Sequence, residues 1–339
     1  MTRPCAVFAM NPRLVHAVFD EDALARLRRA ADIDTSLVLC ELDSARSRDA
    51  LAGAEILVAG WDAPLVRTEH LARAERLRAV VYAGGVAATC LEDPAAFAVR
   101  GVVAANARAA NSGPVAEYAL AMILLANKRV IAEERRYRAS RTLPDHFGAY
   151  AGRGNYRQTV GIVGASTVGR AVLALLRPFD LDVLLYDPTL TEEQAAALGA
   201  RLVPLDELMA YSRVVSLHQP LTPVTRGQID AGRLALMPDG ATLVNTARGA
   251  VVDQDALLAE VRTGRIDAVL DVTDPEPPDP GSELWTLDNV VLTPHLAGSL
   301  GGELHRIGDA VADEVERFAA GRPFAHPEDL AASARTRVW

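Results

Sequence analysis

The chain has 339 residues, a formal net charge of −9 and a hydrophobic content of 50%, with only 5% aromatic residues. This length allows two domains that each bury a core, and the negative charge argues against nucleic-acid or anionic-membrane partners, which favour a basic surface. The N-terminus lacks the apolar core of a signal peptide, and no uncharged apolar run approaches the ~20 residues of a membrane span. We therefore expect a cytoplasmic protein that binds neither nucleic acid nor membrane.

The three cysteines, Cys5, Cys40 and Cys90, are an odd number and lie far apart in the chain. Their spacing is not that of a metal site. We expect them to be reduced, buried thiols, and we expect no bound metal.

Residues 1–112 alternate short apolar runs with helix-like segments, which predicts a small parallel sheet flanked by helices. The predicted strands are Ala6–Met10, Ser36–Cys40, Ala54–Ala59, Leu77–Ala83 and Val102–Ala107. The predicted helices are Asp20–Ala31, Pro64–Ala74 and Pro94–Val99. The turn at Gly84 and Gly85 follows a buried strand, and its backbone N–H groups could bind an anion. Spacing alone nevertheless favours an ordinary strand-to-helix turn there.

A breaker cluster over residues 111–114 precedes a long apolar pattern that predicts a helix over Val115–Arg136. The centre of this helix is almost wholly apolar, so we expect it to be buried between layers or against another subunit. The polar residues 138–158, which are rich in Gly and Arg, are expected to form a surface connection.

Residues 159–170 combine an apolar run, closely spaced glycines and the start of a helical pattern. Gly164 would allow a sharp turn, Gly169 would allow the helix to pack close to the strand, and the free N–H groups at the helix start would bind a pyrophosphate. Asp187 lies 23 residues after Gly164, at the end of the next predicted strand, where a carboxylate can accept hydrogen bonds from an adenosine ribose. Ser166 replaces the middle glycine of the usual dinucleotide fingerprint, so an ordinary strand–turn–helix is the alternative.

From residue 159 onward a second α/β series predicts a doubly wound sheet of about six strands. The predicted strands are Thr159–Gly164, Asp182–Tyr186, Val214–His218, Ala241–Asn245, Ile266–Leu270 and Asn289–Leu292. The predicted helices are Glu192–Leu198, Leu205–Ala210, Ala231–Met237 and Gln254–Val261. A final amphipathic pattern from Leu300 to Phe318 predicts one more helix, and residues 324–339 are expected to return to the first domain.

Polar residues follow three of the later predicted strands, and ligands of such sheets bind beyond the carboxyl ends of the strands. Arg248 follows one strand, Glu276 follows the next and His295 follows the last. Each alone could be a surface charge or a capping side chain. Their joint placement beside a predicted nucleotide site indicates a catalytic arginine, carboxylate and histidine.

The set and order of these motifs resemble the D-isomer-specific 2-hydroxyacid dehydrogenase family, which includes phosphoglycerate, D-lactate and glyoxylate/hydroxypyruvate members. The resemblance covers nearly the whole chain and rests on segments 83–85, 111–117, 160–169, 217–222, 245–249, 271–277 and 294–298. It implies an α/β protein with two Rossmann-like parallel-sheet domains. An NAD-binding domain of residues 113–296 would be inserted in a flavodoxin-like substrate domain of residues 1–112 and 297–339.

The resemblance also implies NAD-dependent transfer of a hydride between nicotinamide and a small 2-oxo or 2-hydroxy acid of the D configuration. Arg248 would bind the substrate carboxylate, His295 would be the acid or base at the carbonyl oxygen, and Glu276 would orient the histidine. Backbone N–H groups at Gly84 and Gly85 would complete the carboxylate site. The residues implied to contact NAD are Gly164, Ser166, Thr167, Val168, Gly169, Asp187, His218, Thr246, Ala247, Arg248, Asp271, His295 and Gly298, with Asp271 accepting a bond from the nicotinamide carboxamide.

Departures from the family pattern leave the substrate unnamed. Residues 86–90 lack the aspartate that often follows the Gly84-Gly85 turn in the family. One alternative function is an NAD(H)-sensing scaffold that resembles the C-terminal binding protein co-repressors, which can retain the catalytic set. Another is a dehydrogenase of a one-carbon or phosphorus substrate, although Glu276 stands where formate enzymes usually carry an amide. The resemblance further implies a homodimer formed with the help of the Val115 helix.

Overall fold

The structure is a computed structural model that describes residues 3–335; residues 1–2 and 336–339, the ends of the predicted first domain, lie outside the described residues. The chain divides into two compact units. Unit 1 is Met1–Asn111 with Ser299–Trp339, and unit 2 is Ser112–Gly298. Each unit is α/β, as the sequence predicts.

The elements are numbered in chain order. The strands are β1 (Cys5–Ala9), β2 (Asp32–Leu39), β3 (Ile56–Gly60), β4 (Ala79–Ala83), β5 (Val103–Asn106), β6 (Thr159–Val163), β7 (Asp182–Tyr186), β8 (Arg201–Leu202), β9 (Val214–Leu217), β10 (Thr242–Asn245), β11 (Asp267–Leu270), β12 (Val290–Leu292) and β13 (Pro327–Glu328). The α-helices are α1 (Pro12–Val18), α2 (Glu21–Ala30), α3 (Ala45–Gly53), α4 (Thr68–Arg73), α5 (Pro94–Val99), α6 (Arg108–Asn127), α7 (Val130–Ser140), α8 (His146–Ala149), α9 (Thr167–Leu176), α10 (Glu192–Ala197), α11 (Leu205–Tyr211), α12 (Ala231–Leu236), α13 (Gln254–Arg262), α14 (His305–Ala319) and α15 (Leu330–Arg335). Short 3₁₀ turns occupy Ala87–Cys90, Gly249–Val251, Glu283–Trp285 and Gly301–Leu304.

The sheet of unit 1 has the strand order β2-β1-β3-β4-β5-β13. Strands β1 to β5 are parallel, and β13 is antiparallel to β5. Neighbouring residues of one strand belong to different cores: Val80 packs in one hydrophobic cluster and Val81 in another. Burial on both faces explains why these strands appear in the sequence as continuous apolar runs. The parallel order is that of flavodoxin-like folds, as predicted.

The sheet of unit 2 is wholly parallel, with the order β8-β7-β6-β9-β10-β11-β12. It has one strand more than the six predicted, because Arg201 and Leu202 pair with β7. The strand order reverses between β6 and β9, which is where a doubly wound sheet binds a dinucleotide. The chain leaves these two strands at Gly164 and His218, and the His218 N–H bonds the Val163 carbonyl at 2.8 Å.

The prediction of one helix over Val115–Arg136 is wrong. Helix α6 begins earlier, at Arg108, and contains Pro114; a second helix, α7, follows after a break. At the break, Arg129 has a φ of +53°. Its guanidinium donates to both carboxylate oxygens of Asp267, at 2.8 and 2.7 Å. This contact between residues distant in sequence, which no local pattern encodes, accompanies the break.

Helix α6 has 20 residues, and an 18-residue window of it has a mean hydropathy of 1.2, so by length and composition it could cross a membrane. This finding differs from the sequence-based expectation that no segment is apolar enough to span a membrane, which considered only uncharged apolar runs. However, Ala116, Ala119 and Ile123 are completely buried in a core cluster of unit 2. A buried core helix passes the same length and composition test, which makes it weak evidence for a membrane span.

The predicted return of the C-terminal segment to the first domain is confirmed by β13, which pairs with β5. The buried carboxylate of Glu314 accepts the N–H groups of Ala325 at 2.9 Å and His326 at 2.7 Å, and so fixes the approach to β13. The preceding helix begins at His305 instead of Leu300, after a 3₁₀ turn. Helices α1 and α3 were not predicted, since both are short and their apolar residues form no clear period.

Candidate active site

The turn between β6 and α9 has the backbone geometry that the glycine fingerprint requires. Gly164 has a φ of +94°, and a Cβ atom there would lie 2.7 Å from the backbone N of Gln219. A Cβ atom on Gly169 would lie 2.0 Å from the Gly164 carbonyl oxygen, so only glycine allows this approach of helix to strand. Ser166 is the N-cap of α9, and its Oγ accepts the Gly169 N–H at 3.3 Å. The other two predicted cofactor residues in this turn are Thr167 and Val168.

Asp187 ends β7 and links this turn to the neighbouring strand. One carboxylate oxygen accepts the Ala165 N–H at 2.7 Å, and the other accepts the Thr189 N–H and hydroxyl at 2.9 and 2.6 Å. Burial alone would raise the pKa of Asp187, but these hydrogen bonds and the nearby Arg170 charge outweigh it and lower the pKa. Arg170, which sequence reasoning did not single out, donates from Nε to the Ala165 carbonyl at 2.9 Å.

Three buried polar atoms without a hydrogen-bond partner follow β9 and β10, among the residues the structure describes. They are His218 Nδ1, Gln219 Oε1 and Thr246 Oγ1. Burial lowers the pKa of His218 to about 3, so its imidazole is neutral, and Nε2 bonds Ser216 Oγ at 2.9 Å. Buried polar atoms are almost always partnered. Unpartnered donors and acceptors at the carboxyl ends of β9 and β10 therefore suit the polar groups of a bound dinucleotide.

Asn245 fixes the loop that carries Arg248, and sequence reasoning assigned it no role. Its buried side chain accepts the Ala247 N–H and donates to the Arg248 carbonyl, both at 3.0 Å. A Cβ atom on Gly249 would lie 2.0 Å from the Thr273 carbonyl, so this glycine lets the arginine loop pack on the next loop of the site. The Arg248 side chain is exposed, and one of its N–H groups bonds the Ala247 carbonyl at 2.7 Å.

The structure brings Glu276 and His295 together. Glu276 Oε1 lies 2.7 Å from His295 Nδ1. Both side chains are accessible, with 43% and 53% of their surface exposed. Because Nδ1 is engaged by the carboxylate, the ring presents Nε2 for proton exchange with another molecule.

Asp271 organises the turn in which His295 stands. One carboxylate oxygen accepts the Leu296 N–H at 2.8 Å and the Thr293 hydroxyl at 2.6 Å, and the other accepts the Ala297 N–H at 2.9 Å. The Asp271 carbonyl accepts the His295 N–H at 3.0 Å. Since each carboxylate oxygen has two acceptor positions, one remains for the predicted bond from a carboxamide. The last predicted cofactor residue, Gly298, is half-buried just after this turn.

Gly84 and Gly85 lie in unit 1, at the carboxyl end of β4. The Gly84 N–H bonds the Tyr82 carbonyl at 2.9 Å, so it is not free for a ligand. Arg108 Nε donates to the Gly85 carbonyl at 3.0 Å. The 3₁₀ turn Ala87–Cys90 follows, and its first two N–H groups, those of Ala87 and Ala88, donate to the carboxylate of Glu328 in the C-terminal segment. The Gly85 N–H has no hydrogen-bond partner in the described part of the chain.

Comparison with known proteins places the chain in a family. Residues 120–297 match the model of the D-isomer specific 2-hydroxyacid dehydrogenase, NAD binding domain. A glyoxylate reductase from Korarchaeum cryptofilum is 36% identical over 224 residues, which cover 66% of this chain and 68% of that protein. The chain belongs to the D-isomer specific 2-hydroxyacid dehydrogenase family.

One further relative and one solved structure show how far the similarity extends along the chain. A D-3-phosphoglycerate dehydrogenase from Archaeoglobus fulgidus is 33% identical over 276 residues, 80% of this chain and 52% of that protein. The chain spans about half the length of the curated relatives it matches first. The structure of the TT0316 protein from Thermus thermophilus aligns with a TM-score of 0.74 at 28% identity, covering 96% of this chain and 99% of that one.

Among the described side chains, one group of three lies close enough together to hold a metal ion. The ligand atoms of Asp43, Glu69 and His70 lie within 4.8 Å of one another. However, His70 Nδ1 accepts the Arg67 N–H at 3.1 Å, so Nε2 carries the ring hydrogen and donates to Asp43 at 3.1 Å. This hydrogen bond explains why His70 and Asp43 lie together.

The prediction of buried cysteines is correct for Cys90 and wrong for Cys40, which is exposed because it follows the edge strand β2. Cys5 is half-buried. Burial raises the pKa of the Cys90 thiol to about 12, which keeps it protonated and unreactive.

Proposed function

We propose that the protein is an NAD-dependent oxidoreductase that transfers a hydride between nicotinamide and a small 2-oxo or 2-hydroxy acid of the D configuration. The observation that carries this proposal is the 2.7 Å contact between Glu276 and His295, in a chain of this family. A histidine whose Nδ1 is held by a carboxylate and whose Nε2 is accessible is suited to exchange a proton with a carbonyl oxygen.

We propose that unit 2 is the NAD-binding domain. NAD, when bound, supplies the hydride donor or acceptor of the reaction. The first turn of α9 would hold the pyrophosphate, Asp187 would accept from the ribose hydroxyls, and the unpartnered atoms of His218 and Thr246 would meet further polar groups. The other residues proposed to line the cofactor are Gly164, Ser166, Thr167, Val168, Gly169, Ala247, Arg248, Asp271, His295 and Gly298.

In this proposal the catalytic groups have separate tasks. Arg248 binds the substrate carboxylate, because a planar guanidinium can donate two parallel hydrogen bonds to it. His295 gives a proton to the carbonyl oxygen during reduction and takes it back during oxidation. Glu276 keeps the hydrogen on Nδ1 when the ring is neutral and stabilises the imidazolium when it is charged.

We propose that unit 1 is the substrate domain, for which the sequence predicts the limits 1–112 and 297–339, close to those of the compact unit. Its turn at Gly84 and Gly85 is proposed to supply a backbone N–H to the substrate carboxylate. The free N–H of Gly85 supports this role better than that of Gly84, which is already bonded. Arg108 adds a positive charge at the same turn, because its Nε is fixed on the Gly85 carbonyl.

We also propose that the protein forms a homodimer. Helix α7 has no buried residue, and it is followed by a segment whose large apolar side chains are exposed. Leu143, Phe147 and Tyr156 expose 75%, 94% and 64% of their surface. In contrast, Val115 is buried within its own chain. Light scattering is expected to give a dimer, and Leu143→Ser with Phe147→Ser is expected to give monomers.

Steady-state assays of NADH oxidation with glyoxylate, hydroxypyruvate, pyruvate and phenylpyruvate test the proposed reaction. We expect turnover with at least one of these acids and a loss of about 10²-fold or more in His295→Ala. Arg248→Lys should impair both KM for the acid and kcat, because a point charge cannot bind the carboxylate through two parallel bonds. Tight NADH binding without turnover of any 2-oxo acid would contradict the proposal and favour a nucleotide-sensing scaffold.

The pH profile tests the roles of the histidine and its carboxylate. Reduction requires the imidazolium and oxidation requires the neutral ring, so reduction should fall and oxidation should rise as pH increases. Glu276→Gln replaces the carboxylate that holds Nδ1 with an amide, so turnover should fall in both directions. An unchanged pH profile in His295→Ala would show that another group exchanges the proton.

A further inference from the structure

The backbone at His295 is in an unusual conformation. Its φ is +53°, in the left-handed region, which is unfavourable for a residue that has a Cβ atom. Its N–H bonds the carbonyls of Asp271 and Thr293, each at 3.0 Å. Such a conformation persists only where neighbouring contacts hold it. The contacts around this turn therefore decide where the imidazole points.

A chain of three polar side chains leads from helix α6 to this turn. Tyr118 Oη lies 3.0 Å from Thr293 Oγ1, and Thr293 Oγ1 lies 2.6 Å from Asp271 Oδ1. A carboxylate only accepts, so Thr293 must donate its single hydroxyl hydrogen to Asp271. Tyr118 must then donate to Thr293. The direction of the whole chain is fixed, and it ends on the carboxylate that also holds the N–H groups of Leu296 and Ala297.

Tyr118 is well placed to anchor this chain. It stands on α6, whose neighbouring residues Ala116 and Ala119 are completely buried, so its backbone belongs to the core of unit 2. The phenol is half-buried. Burial and then the Asp271 charge raise the pKa of Tyr118, against a lowering effect of the bond to Thr293. The hydroxyl therefore remains a donor over the whole working pH range of an enzyme.

We propose that Tyr118 is a positioning residue for His295 and acts on it through Thr293 and Asp271. The inference rests on the proposed function, in which His295 is the acid or base. Without the phenol hydroxyl, the Thr293 hydroxyl is free to rotate away from Asp271, and the turn populates conformations in which the imidazole is misdirected. Turnover then falls, while the binding of NADH and of the acid is retained.

Four variants and one control separate this role from general destabilisation. Tyr118→Phe keeps the ring and should lower kcat roughly threefold to tenfold, the effect of one lost hydrogen bond, with both KM values within about twofold. Thr293→Val removes the hydrogen bonds to Tyr118 and Asp271 and should lower kcat at least as much. Thr293→Ser keeps the hydroxyl and should have a kcat close to that of the wild type. Tyr118→Phe in the Thr293→Val background should have no further effect, since the two residues act in series. Tyr211→Phe, which removes an exposed hydroxyl from α11, is the matched control.

The outcomes are distinct. A normal kcat in Tyr118→Phe, or an undiminished effect of Tyr118→Phe in the Thr293→Val background, would overturn the inference. A wild-type protein that turns over no 2-oxo acid would refute the proposed function instead. In that case, amide hydrogen exchange of residues 295–297 decides: faster exchange in Tyr118→Phe than in Tyr211→Phe supports the positioning contact, and equal exchange refutes it.

Discussion

Asp187 is expected to set the choice between NAD and NADP. Its ionised carboxylate favours a free ribose hydroxyl and repels a 2′-phosphate, while the nearby Arg170 could bind that phosphate once the negative charge is removed. Asp187→Asn should raise the ratio of kcat/KM for NADPH to that for NADH by roughly tenfold or more, and Arg170→Met should cancel the gain. Asp182→Asn, at the exposed start of the same strand, is the control. A wild-type enzyme that prefers NADPH would contradict this prediction.

Variants of Ser166 test whether the absence of the middle fingerprint glycine affects cofactor binding. Its Oγ accepts the Gly169 N–H, so its hydroxyl hydrogen is available to a phosphate oxygen at the start of α9. Ser166→Gly removes this donor and a helix cap, but glycine costs a cap only a few tenths of a kcal/mol. The Kd for NADH, measured by calorimetry, should change by less than about tenfold. A much larger gain of affinity in Ser166→Gly, absent in Ser166→Ala, would show that the side chain obstructs the cofactor.

His218 should make the protein less stable at acidic pH. Burial lowers its pKa from 6.5 to about 3, so the unfolded chain takes up a proton that the folded state refuses. The stability tied to this group is complete above pH 6.5 and decreases by about 1.4 kcal/mol per pH unit as pH falls toward 3. In urea denaturation, the wild type should lose about 2 kcal/mol more than His218→Gln between pH 6.5 and 5. Equal losses would mean that the ring is protonated in the folded protein.

At the scale of elements, the sequence predicts the sheets better than the helix breaks. The parallel strands are buried on both faces, so their apolar runs are evident, and the predicted strands match the observed ones to within a few residues. The division of the long helix into α6 and α7 could not be predicted, because it coincides with an ion pair between Arg129 and Asp267, which are far apart in the chain. The short strand β8 lacks an apolar run and was missed for that reason.

In the candidate site, too, the sequence predicts some features, while others depend on contacts between residues that are distant in the chain. Arg248, Glu276 and His295 could be placed at one edge because parallel strands end on the same side of a sheet. The roles of Asn245 and Asp271 as holders of loops could not be predicted, since they depend on bonds to backbone N–H and carbonyl groups that carry no sequence signature. Tyr118 lies more than a hundred residues before Thr293, and only the fold brings the two together.

The ion pair at the helix break should contribute strongly to the stability of unit 2. Arg129 and Asp267 are largely buried, with 23% and 11% of their side chains exposed. Arg129→Met leaves the carboxylate without its partner, which should cost about 3 kcal/mol of unfolding free energy. The control is Arg138→Met, which removes an exposed pair with Glu134 and should cost about 0.5 kcal/mol or less. Similar losses in the two variants would show that the buried pair is no stronger than a surface pair.

At the scale of the whole molecule, each unit has its own hydrophobic clusters. Two clusters consist of residues of unit 1, and two consist of residues of unit 2. Each unit therefore meets the main requirement for unfolding as a separate cooperative body. All residues proposed to bind NAD lie in unit 2, so the cofactor should stabilise that unit directly.

Amide hydrogen exchange with and without NADH tests this separation. A ligand at about 100 times its Kd stabilises the state that binds it by about 2.7 kcal/mol. The slowest-exchanging amides of β6, β9 and β10 should therefore slow about 100-fold, since they open only when unit 2 unfolds. The amides of β1, β3 and β4 should keep their rates, because their opening does not release the cofactor. Equal slowing in both sheets would mean that the two units unfold together, and no slowing in either would contradict the placement of NAD in unit 2.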